Sequence, residues 1–308
     1  MRILALETSA KAVSAAVTED GKVLCSGYQD TGLTHSRTLM PIVEAMLKNT
    51  GLTVQDCDAV AVAAGPGSFT GIRIGVSAAK GLAFAADKPC AAVSTLEAMA
   101  RNVAHMDALV VCAMDARRSQ IYNALFTSEH GRLTRRTPDR AIGLAELAEE
   151  LRGETRRLLV LGDGGRLCRD GLAQLGVESE LAPAQLLYQN AVGVGLAAEH
   201  GTPVSAQELL EVLKRIASRI CEDRRQQADG ERRAQRGHDR RVGKQLLVPA
   251  QRKTAPVRAG FAVVEGIENQ QKNRRIQKRH NQSDVRLSEL FHQRMRTSFC
   301  GSSSLSMR

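Results

Sequence analysis

The stretch AVAVAAGPGSFTGIRIGVSAAKGLAFAA, residues 59–86, joins a buried strand to a long helix through a glycine-rich turn. Residues 59–64 are apolar without polar alternation, which is typical of a central strand in a sheet covered on both faces. After the turn, small and apolar residues recur at helical spacing from residue 72 to residue 86. A strand, a glycine turn and a helix in this order predict an α/β fold.

The residues before this stretch predict three strands and a helix. Apolar runs at 3–8, 12–17 and 22–28 predict the strands, and Glu19-Asp20-Gly21 predicts a hairpin turn. The following helix is expected over 36–49, and Pro41 within it predicts either a late start or a kink. A strand at 89–93 and a helix at 95–102 complete the unit.

A second unit then repeats the pattern. The predicted elements are strands at 108–114, 120–126 and 157–161 and helices at 143–151, 166–175 and 184–200. Two units that both open with strand-turn-strand predict a duplicated, two-lobed fold. This arrangement is similar to that of actin-like ATPases and sugar kinases, the ASKHA or ribonuclease H-like fold. We expect a first lobe over 1–104 with a return helix within 184–211, a second lobe over 105–183, and a basic tail over 212–308.

Composition narrows the class of protein. The net charge is +10, but residues 1–211 carry −4 and residues 212–308 carry +14, so the basicity lies in the tail. Seven scattered cysteines without a Cys-x-x-Cys pair argue against disulfides or a zinc site, and indicate a reducing, cytoplasmic environment. The sequence predicts neither a secretory signal nor a membrane-spanning helix.

The glycine-rich turn has two interpretations. Its backbone N–H groups, with Ser68 at the helix start, could bind an anion, although no Gly-Lys-Ser/Thr of a P-loop follows. Alternatively, Gly65 and Gly67 supply turn torsions that other residues resist, and Ser68 or Thr70 caps the helix. The two interpretations are about equally good from sequence alone.

The helix after the turn has two apolar stripes. Ile72, Val76, Ala79 and Ala83 are expected to face a sheet. The small-residue stripe comprises Gly71, Gly75, Ala78, Leu82 and Ala85 and would let a second helix approach closely, either inside the fold or in a partner. Spacing alone does not decide between these, and we expect Gly75→Leu to disturb a partner contact more than folding.

The strand-turn-strand openings are candidates for a residual nucleotide site. In actin-like ATPases a carboxylate and glycines in such turns wrap nucleotide phosphates. Here the turns contain Glu7-Thr8-Ser9 and Asp115-Ala116-Arg117, without glycine, so side chains stand where phosphate would need backbone N–H groups. Gly162-Asp163-Gly164-Gly165 could contact a nucleoside, but a helix start is the simpler role. The histidines form no metal-binding pair, and His35 is best explained by a position at a helix start.

These residues resemble a known family. ILALETS at 3–9, His35-Ser36, AGPGSFTGIRIG at 64–75 and MDARR at 114–118 match the TsaB (YeaZ) family of tRNA threonylcarbamoyladenosine biosynthesis proteins, over residues 1 to about 211. The resemblance implies a subunit with no catalytic residues and no metal, which pairs with and activates its paralogue TsaD. TsaD transfers threonylcarbamoyl to N6 of adenosine 37 in tRNAs that read codons beginning with A.

The resemblance also implies partners and sites. An ATPase, TsaE, joins the pair, tRNA is contacted through the complex, and no cofactor is required. Weak nucleotide binding and a homodimer in the absence of TsaD stay open. The implied partner surface uses the helices at 36–47 and 72–86, with Ser36, Leu39, Val43, Met46, Leu47, Gly71, Gly75, Ala78, Leu82 and Ala85. The residual nucleotide or anion site would use Glu7, Thr8, Ser9, Gly65, Gly67, Ser68, Asp115 and Arg117.

Alternatives remain for the tail and for the function. Residues 212–308 are either a native extension that contacts tRNA phosphates or the product of a shifted reading frame, and the abrupt loss of family likeness favours the second. For residues 1–211, the alternatives are an independent actin-like ATPase or kinase and, with less support, a glycoprotease-like (M22) metallopeptidase.

Overall fold

The computed structural model describes residues 1–116, 120–212, 214–216, 218 and 222. Within these residues the first sheet has five strands in the order β3-β2-β1-β4-β5. β1 pairs antiparallel with β2 and parallel with β4, so a hairpin and a parallel unit share this central strand. The strands are β1 (Arg2–Glu7), β2 (Val13–Glu19), β3 (Lys22–Gln29), β4 (Ala59–Gly65) and β5 (Cys90–Ser94).

The second sheet, in the same described part of the chain, repeats this order. Its path is β11-β10-β6-β7-β8, with β9 paired to β7, so β6, β7, β8, β10 and β11 correspond to β1 to β5. The duplicated two-lobed fold predicted from sequence is therefore confirmed; the lobe boundaries stay predictions. The strands are β6 (Ala108–Asp115), β7 (Gln120–Glu129), β8 (Arg132–Arg135), β9 (Arg140–Gly143), β10 (Leu158–Leu161) and β11 (Glu180–Leu181).

Helices cover both faces of the first sheet. α1 and α2 pack side by side on one face, whereas α6 packs against β1 and β2 on the other. α3 contacts α6 and also β6 and β7, so it links the lobes, and α4 and α5 pack on the second sheet. The helices are α1 (His35–Thr50), α2 (Phe69–Ala86), α3 (Thr95–Asn102), α4 (Leu144–Leu151), α5 (Gly165–Gln174) and α6 (Ala191–Ala198), with a 3-10 turn at Val54–Asp56.

The alternation of side chains along β1 separates two cores. Leu4 and Leu6 pack with α1 and α2, whereas Ile3 and Ala5 pack with α6. Because successive side chains of a strand point to opposite faces, Glu7 at the end of β1 falls on the α6 side. A carboxyl group therefore lies buried where the two lobes meet.

Several sequence-based boundaries change. α1 begins before Pro41 and continues through it, so a late start is wrong. The expected helix over 184–200 is shorter, since α6 begins only after Asn190, whose side chain accepts a hydrogen bond from Gly193 N at 3.1 Å. β8, β9 and β11 were not predicted, because they are short and, unlike the four-residue β10, contain no continuous apolar run.

The sequence also predicted no membrane-spanning helix and a basic tail. Among the described residues, no helix is both long and apolar enough to cross a membrane. Almost all of the tail at 212–308, and Arg117 in the second strand-turn-strand opening, lie outside the described residues. The interpretations of the tail therefore stay predictions.

Candidate functional site

A cleft of about 650 Å³ lies where strand ends of both lobes meet. It is lined by the turn after β1, the turn before α2, the end of β6 and the turn after β10. In α/β folds, ligands bind beyond the carboxyl ends of the strands, which makes this cleft the natural candidate site. Its lining residues are Ser9, Ala10, Lys11, Gly67, Ser68, Phe69, Thr70, Met114, Asp115, Ala116, Tyr122 and Asp163.

The Gly-Pro-Gly turn brings two walls of the cleft into contact. Gly65 and Gly67 have φ of 115° and 152°, which other residues rarely adopt. A Cβ on Gly67 would lie 2.5 Å from the carbonyl oxygen of Ser9, and Ser68 N donates to that same oxygen at 2.6 Å. The structure therefore confirms that Gly65 and Gly67 supply turn torsions that other residues resist.

Ser68 is the N-cap of α2. Its Oγ accepts a hydrogen bond from Gly71 N at 3.3 Å, as expected for a serine at this position. Together with the bond from Ser68 N to Ser9, this means that two backbone N–H groups near the helix start already have partners within the chain. Those two groups are satisfied without an anion.

Glu7 is the most perturbed carboxyl group near the cleft. It is 1% exposed, and its Oε1 accepts a hydrogen bond from Ser9 N at 2.5 Å, whereas Oε2 has no partner. Burial raises the pKa of Glu7 to about 7, and the charge of Asp163 acts in the same direction. Hydrogen bonds from Ser9 oppose this rise in pKa. Glu7 is thus poised to change its charge near neutral pH.

Two more carboxyl groups lie at the cleft. Asp163 Oδ1 accepts a hydrogen bond from Gln189 Nε2 at 2.9 Å, and burial raises the pKa of Asp163, with a smaller contribution from the charge of Asp115. The Gly162–Gly165 segment leads into α5, with Gly164 as the N-cap and Gly165 as the first helical residue. A Cβ on Gly164 would lie 2.7 Å from Asp115 N, so a larger residue would not fit there. The position of this segment confirms the helix-start role expected from sequence.

The structure brings together only part of the predicted anion site. Ser9, Gly67, Ser68 and Asp115 line the cleft. Glu7 and Thr8 are buried behind its wall, where the Thr8 hydroxyl donates to the carbonyl oxygen of Gly71 at 2.8 Å. Gly65 ends β4, paired with Ser94 of β5, and does not line the cleft. Among the described residues, no group of three or more His, Cys, Asp or Glu side chains could hold a metal ion.

Half of the ten residues of the predicted partner surface lie inside the protein. Leu39, Val43 and Met46 belong to the core that α1 and α2 form with the first sheet, and Gly71 and Gly75 are buried as well. The other stripe of α2, with Ile72, Val76, Ala79 and Ala83, faces the sheet as predicted. Of the rest, Ser36 and Ala85 are exposed, and Leu47, Ala78 and Leu82 are half-buried.

The buried glycines of α2 serve the chain's own packing. A Cβ on Gly71 would lie 2.1 Å from the carbonyl oxygen of Thr8, and one on Gly75 would lie 2.3 Å from Thr8 Oγ1. The small-residue stripe therefore admits the turn after β1 at these positions. This corrects the expectation for Gly75→Leu, which we now expect to impair folding first.

The exposed residues of α1 and α2 that we call the outer face include only Ser36 and Ala85 of the predicted partner surface. The outer face comprises Ser36, Met40, Pro41 and Glu44 on α1 and Phe69, Arg73, Ser77, Gly81, Phe84 and Ala85 on α2. Phe84 and Phe69 are 71% and 70% exposed, and the guanidinium of Arg73 lies 5.1 Å from the Phe69 ring centre. Sequence reasoning missed both phenylalanines, although each breaks the pattern of small residues.

Comparisons with known proteins agree with the resemblance. The family model described as "TsaD: tRNA N6-adenosine threonylcarbamoyltransferase" matches residues 29–228. The chain is 39% identical over 162 residues to the tRNA threonylcarbamoyladenosine biosynthesis protein TsaB of Bacillus subtilis, covering 53% of this chain and 71% of that protein. It is 32% identical over 221 residues to TsaB of Escherichia coli, covering 66% of this chain and 94% of that protein.

A solved structure supports the same assignment. YeaZ from Pseudomonas aeruginosa superimposes with a TM-score of 0.56 at 27% sequence identity, covering 68% of this chain and 97% of that one. The match with the transferase model and the matches with the TsaB proteins cover largely the same residues, and the TsaB of Escherichia coli is matched over nearly its whole length. The chain therefore belongs to the TsaB (YeaZ) family of tRNA threonylcarbamoyladenosine biosynthesis proteins.

Proposed function

We propose that this protein is a non-catalytic subunit in the formation of threonylcarbamoyladenosine at position 37 of tRNAs that read codons beginning with A. It acts by binding TsaD, the transferase, through the outer face of α1 and α2. The names of its relatives support the pathway, and the exposed surface of α2 supports the mode of binding.

The observation that carries this proposal is Gly81. It lies in the middle of α2, and a Cβ built on it would meet no atom within 4 Å. Glycine within a helix costs about 1 kcal/mol relative to alanine. At Gly71 and Gly75 a larger side chain would clash with Thr8, whereas no contact within the described part of the chain requires a glycine at position 81. A partner that approaches the helix backbone closely would require a glycine there.

Phe84, less than one turn after Gly81, and Phe69, at the start of α2, add exposed apolar surface to the outer face. Large aromatic side chains that stand exposed on a helix are typical anchors of protein interfaces. Met40 on the neighbouring helix is also 42% exposed, so both helices contribute apolar side chains to the outer face. Exposed apolar side chains beside a small residue such as Gly81 fit the side of a partner helix.

Basic side chains also lie on these two helices. Arg37 and Lys48 on α1 and Lys80 on α2 have no ion-pair partner within the described residues, and Glu44 is the acidic residue of the outer face. Complementary charges steer association and fix orientation more than they add affinity. We therefore expect the TsaD surface to be acidic where it meets α1, and association to slow at higher salt.

Binding of TsaD to the full chain tests the proposal. We expect Phe84→Ala to weaken binding at least tenfold in isothermal titration calorimetry. The control Leu167→Ala, which truncates an exposed leucine of α5, should leave the Kd unchanged. Both variants should retain the wild-type circular dichroism spectrum. Absence of binding by the wild-type chain, or equal binding by both variants, would contradict the proposal.

The remaining parts of the role follow the resemblance. TsaE would join the TsaB–TsaD pair in the cytoplasm, tRNA would be contacted through the complex, and the outer face could also pair two copies of this chain when TsaD is absent. We propose that no cofactor is required and that nucleotide binding in the cleft is weak, because the turn after β1 presents side chains rather than glycine N–H groups. Turnover of ATP by the isolated chain, lost in Asp115→Ala, would instead support an independent ATPase.

A further inference from the structure

The turn after β1 contacts the starts of both helices of the outer face. Its Thr8 hydroxyl donates to Gly71 O of α2 at 2.8 Å, and its Ser9 carbonyl accepts from Ser68 N at 2.6 Å. Its third residue, Ala10, has its carbonyl oxygen 2.8 Å from Nε2 of His35, the first residue of α1. Three consecutive residues therefore each hold one contact to a helix start.

This turn fits tightly against α2. The Thr8 carbonyl oxygen lies so near Gly71 that even a Cβ there would come within 2.1 Å, and Ser9 approaches Gly67 almost as closely. Contacts at this distance leave no gap in which the turn could shift alone. A displacement of the turn must therefore move the first turn of α2, and with it Phe69 on the outer face.

Glu7 holds the turn from inside the protein. Its Oε1 accepts the N–H of Ser9, two residues on, and so fixes the turn directly after the strand. A carboxylate accepts such a bond more strongly than a neutral carboxyl group does. Oε2 has no hydrogen-bond partner in the described part of the chain, so the bond from Ser9 N to Oε1 ties this buried carboxyl group to the turn.

The charged groups that surround Glu7 come from several elements. Asp163, after β10, acts on Glu7 directly, and Asp115, at the end of β6, acts on Asp163. Among the described residues, His35 of α1, Lys11 of the turn and Tyr122 of β7 are further ionisable groups at the turn or the cleft, and Lys11 is paired with Asp30 at 3.2 Å. The raised pKa of Glu7 places its change of charge within reach of neutral pH.

We propose that Glu7 is a positioning residue for partner binding: its charge state sets how firmly the turn after β1 holds the starts of α1 and α2, and thereby the geometry of the outer face. This inference rests on the proposed function. While Glu7 stays buried, its ionised form accepts the Ser9 N–H more strongly than its protonated form, so ionised Glu7 holds the turn more firmly and favours the partner. The lower global stability of the ionised chain is a separate effect of burying the charge.

The test measures the Kd of the full chain for TsaD between pH 6 and pH 8. We expect wild type to bind about fivefold more tightly at pH 8 than at pH 6, the difference between a charged and a neutral hydrogen-bond acceptor. Glu7→Gln keeps the oxygen that accepts from Ser9 but cannot ionise, so it should bind as wild type does at pH 6, at every pH. His35→Gln removes the other titratable contact and should retain the pH dependence.

A superimposable pH profile for wild type and Glu7→Gln would overturn the inference. Hydrogen exchange on the chain alone separates this outcome from failure of the proposed function. After correction for intrinsic exchange, the amides of Ser9 and Ser68 should be better protected at pH 8 than at pH 6 in wild type, and equally protected in Glu7→Gln. If these protection factors behave as expected but TsaD does not bind, the proposed function fails while the positioning role of Glu7 in the turn stands. Protection that does not depend on Glu7 would overturn the inference whatever TsaD does.

Discussion

The same substitution at two glycines of α2 should change stability in opposite directions. Gly75 and Gly81 lie on one helix, six residues apart, and both replacements with alanine improve the intrinsic helix propensity. They differ in what the new methyl group meets. At Gly75 it would lie 2.3 Å from Thr8 Oγ1 and 3.3 Å from Val62 Cγ2, and at Gly81 it would meet no atom within 4 Å.

The expected magnitudes follow from these surroundings. Gly81→Ala should raise the free energy of unfolding by about 1 kcal/mol, the difference in helix propensity. Gly75→Ala gains the same amount but forces the buried Thr8 side chain out of its position. Loss of the hydrogen bond from Thr8 to Gly71 and overpacking of the core each cost about 1–3 kcal/mol. We therefore expect Gly75→Ala to be net destabilised by about 1–5 kcal/mol.

Urea unfolding followed by circular dichroism measures both changes. The midpoint should rise for Gly81→Ala and fall for Gly75→Ala at an unchanged slope, and the melting temperatures should move by about 2–4 °C per kcal/mol. Gly75→Ala with wild-type stability would refute the argument that this glycine exists for the contact with Thr8. A destabilised Gly81→Ala would show that Gly81 packs within the chain, and would remove the main support for the outer face as a partner surface.

Three further predictions concern the same region. Gly71→Ala should be more destabilising than Gly75→Ala in the same urea experiment, because its methyl group would lie 2.1 Å from a backbone oxygen, which cannot rotate away. Since the folded pKa of Glu7, about 7, exceeds its ordinary value, the folded state binds the proton more tightly, and stability falls as pH rises from about 4.5 to 7. Glu7→Gln should remove this slope and be more stable than wild type at pH 8, by about 1–3 kcal/mol; equal stability at pH 5 and pH 8 in wild type would contradict the raised pKa. Asp163→Asn removes a like charge and should shift the midpoint of the wild-type pH–stability profile to lower pH; an unmoved midpoint would mean that burial alone sets the pKa of Glu7.

The sequence determined the framework of this protein. Apolar runs without alternation marked β1, β4 and β6, and the Gly-Pro-Gly turn and helical periodicity marked α2, because these signals depend only on neighbouring residues. The repeated strand-turn-strand opening predicted the duplication, and the family motifs predicted membership of the TsaB (YeaZ) family. The strands β8, β9 and β11 and the late start of α6 were not predicted, since the limits of these elements depend on contacts with distant residues.

Tertiary structure decided which face of α2 is free. The glycines at 71, 75 and 81 look alike in sequence. Only contacts with a turn some sixty residues away show that Thr8 occupies the space beside the first two, whereas the space beside the third is empty. The role of Glu7 also depends on the tertiary structure. In the sequence, Glu7 is a carboxylate in a strand-turn-strand opening that lacks the glycines of a nucleotide-binding turn. Its burial beside Asp163, and the contacts of its turn with α1 and α2, arise only when the two lobes come together, because desolvation and close packing are properties of the folded chain.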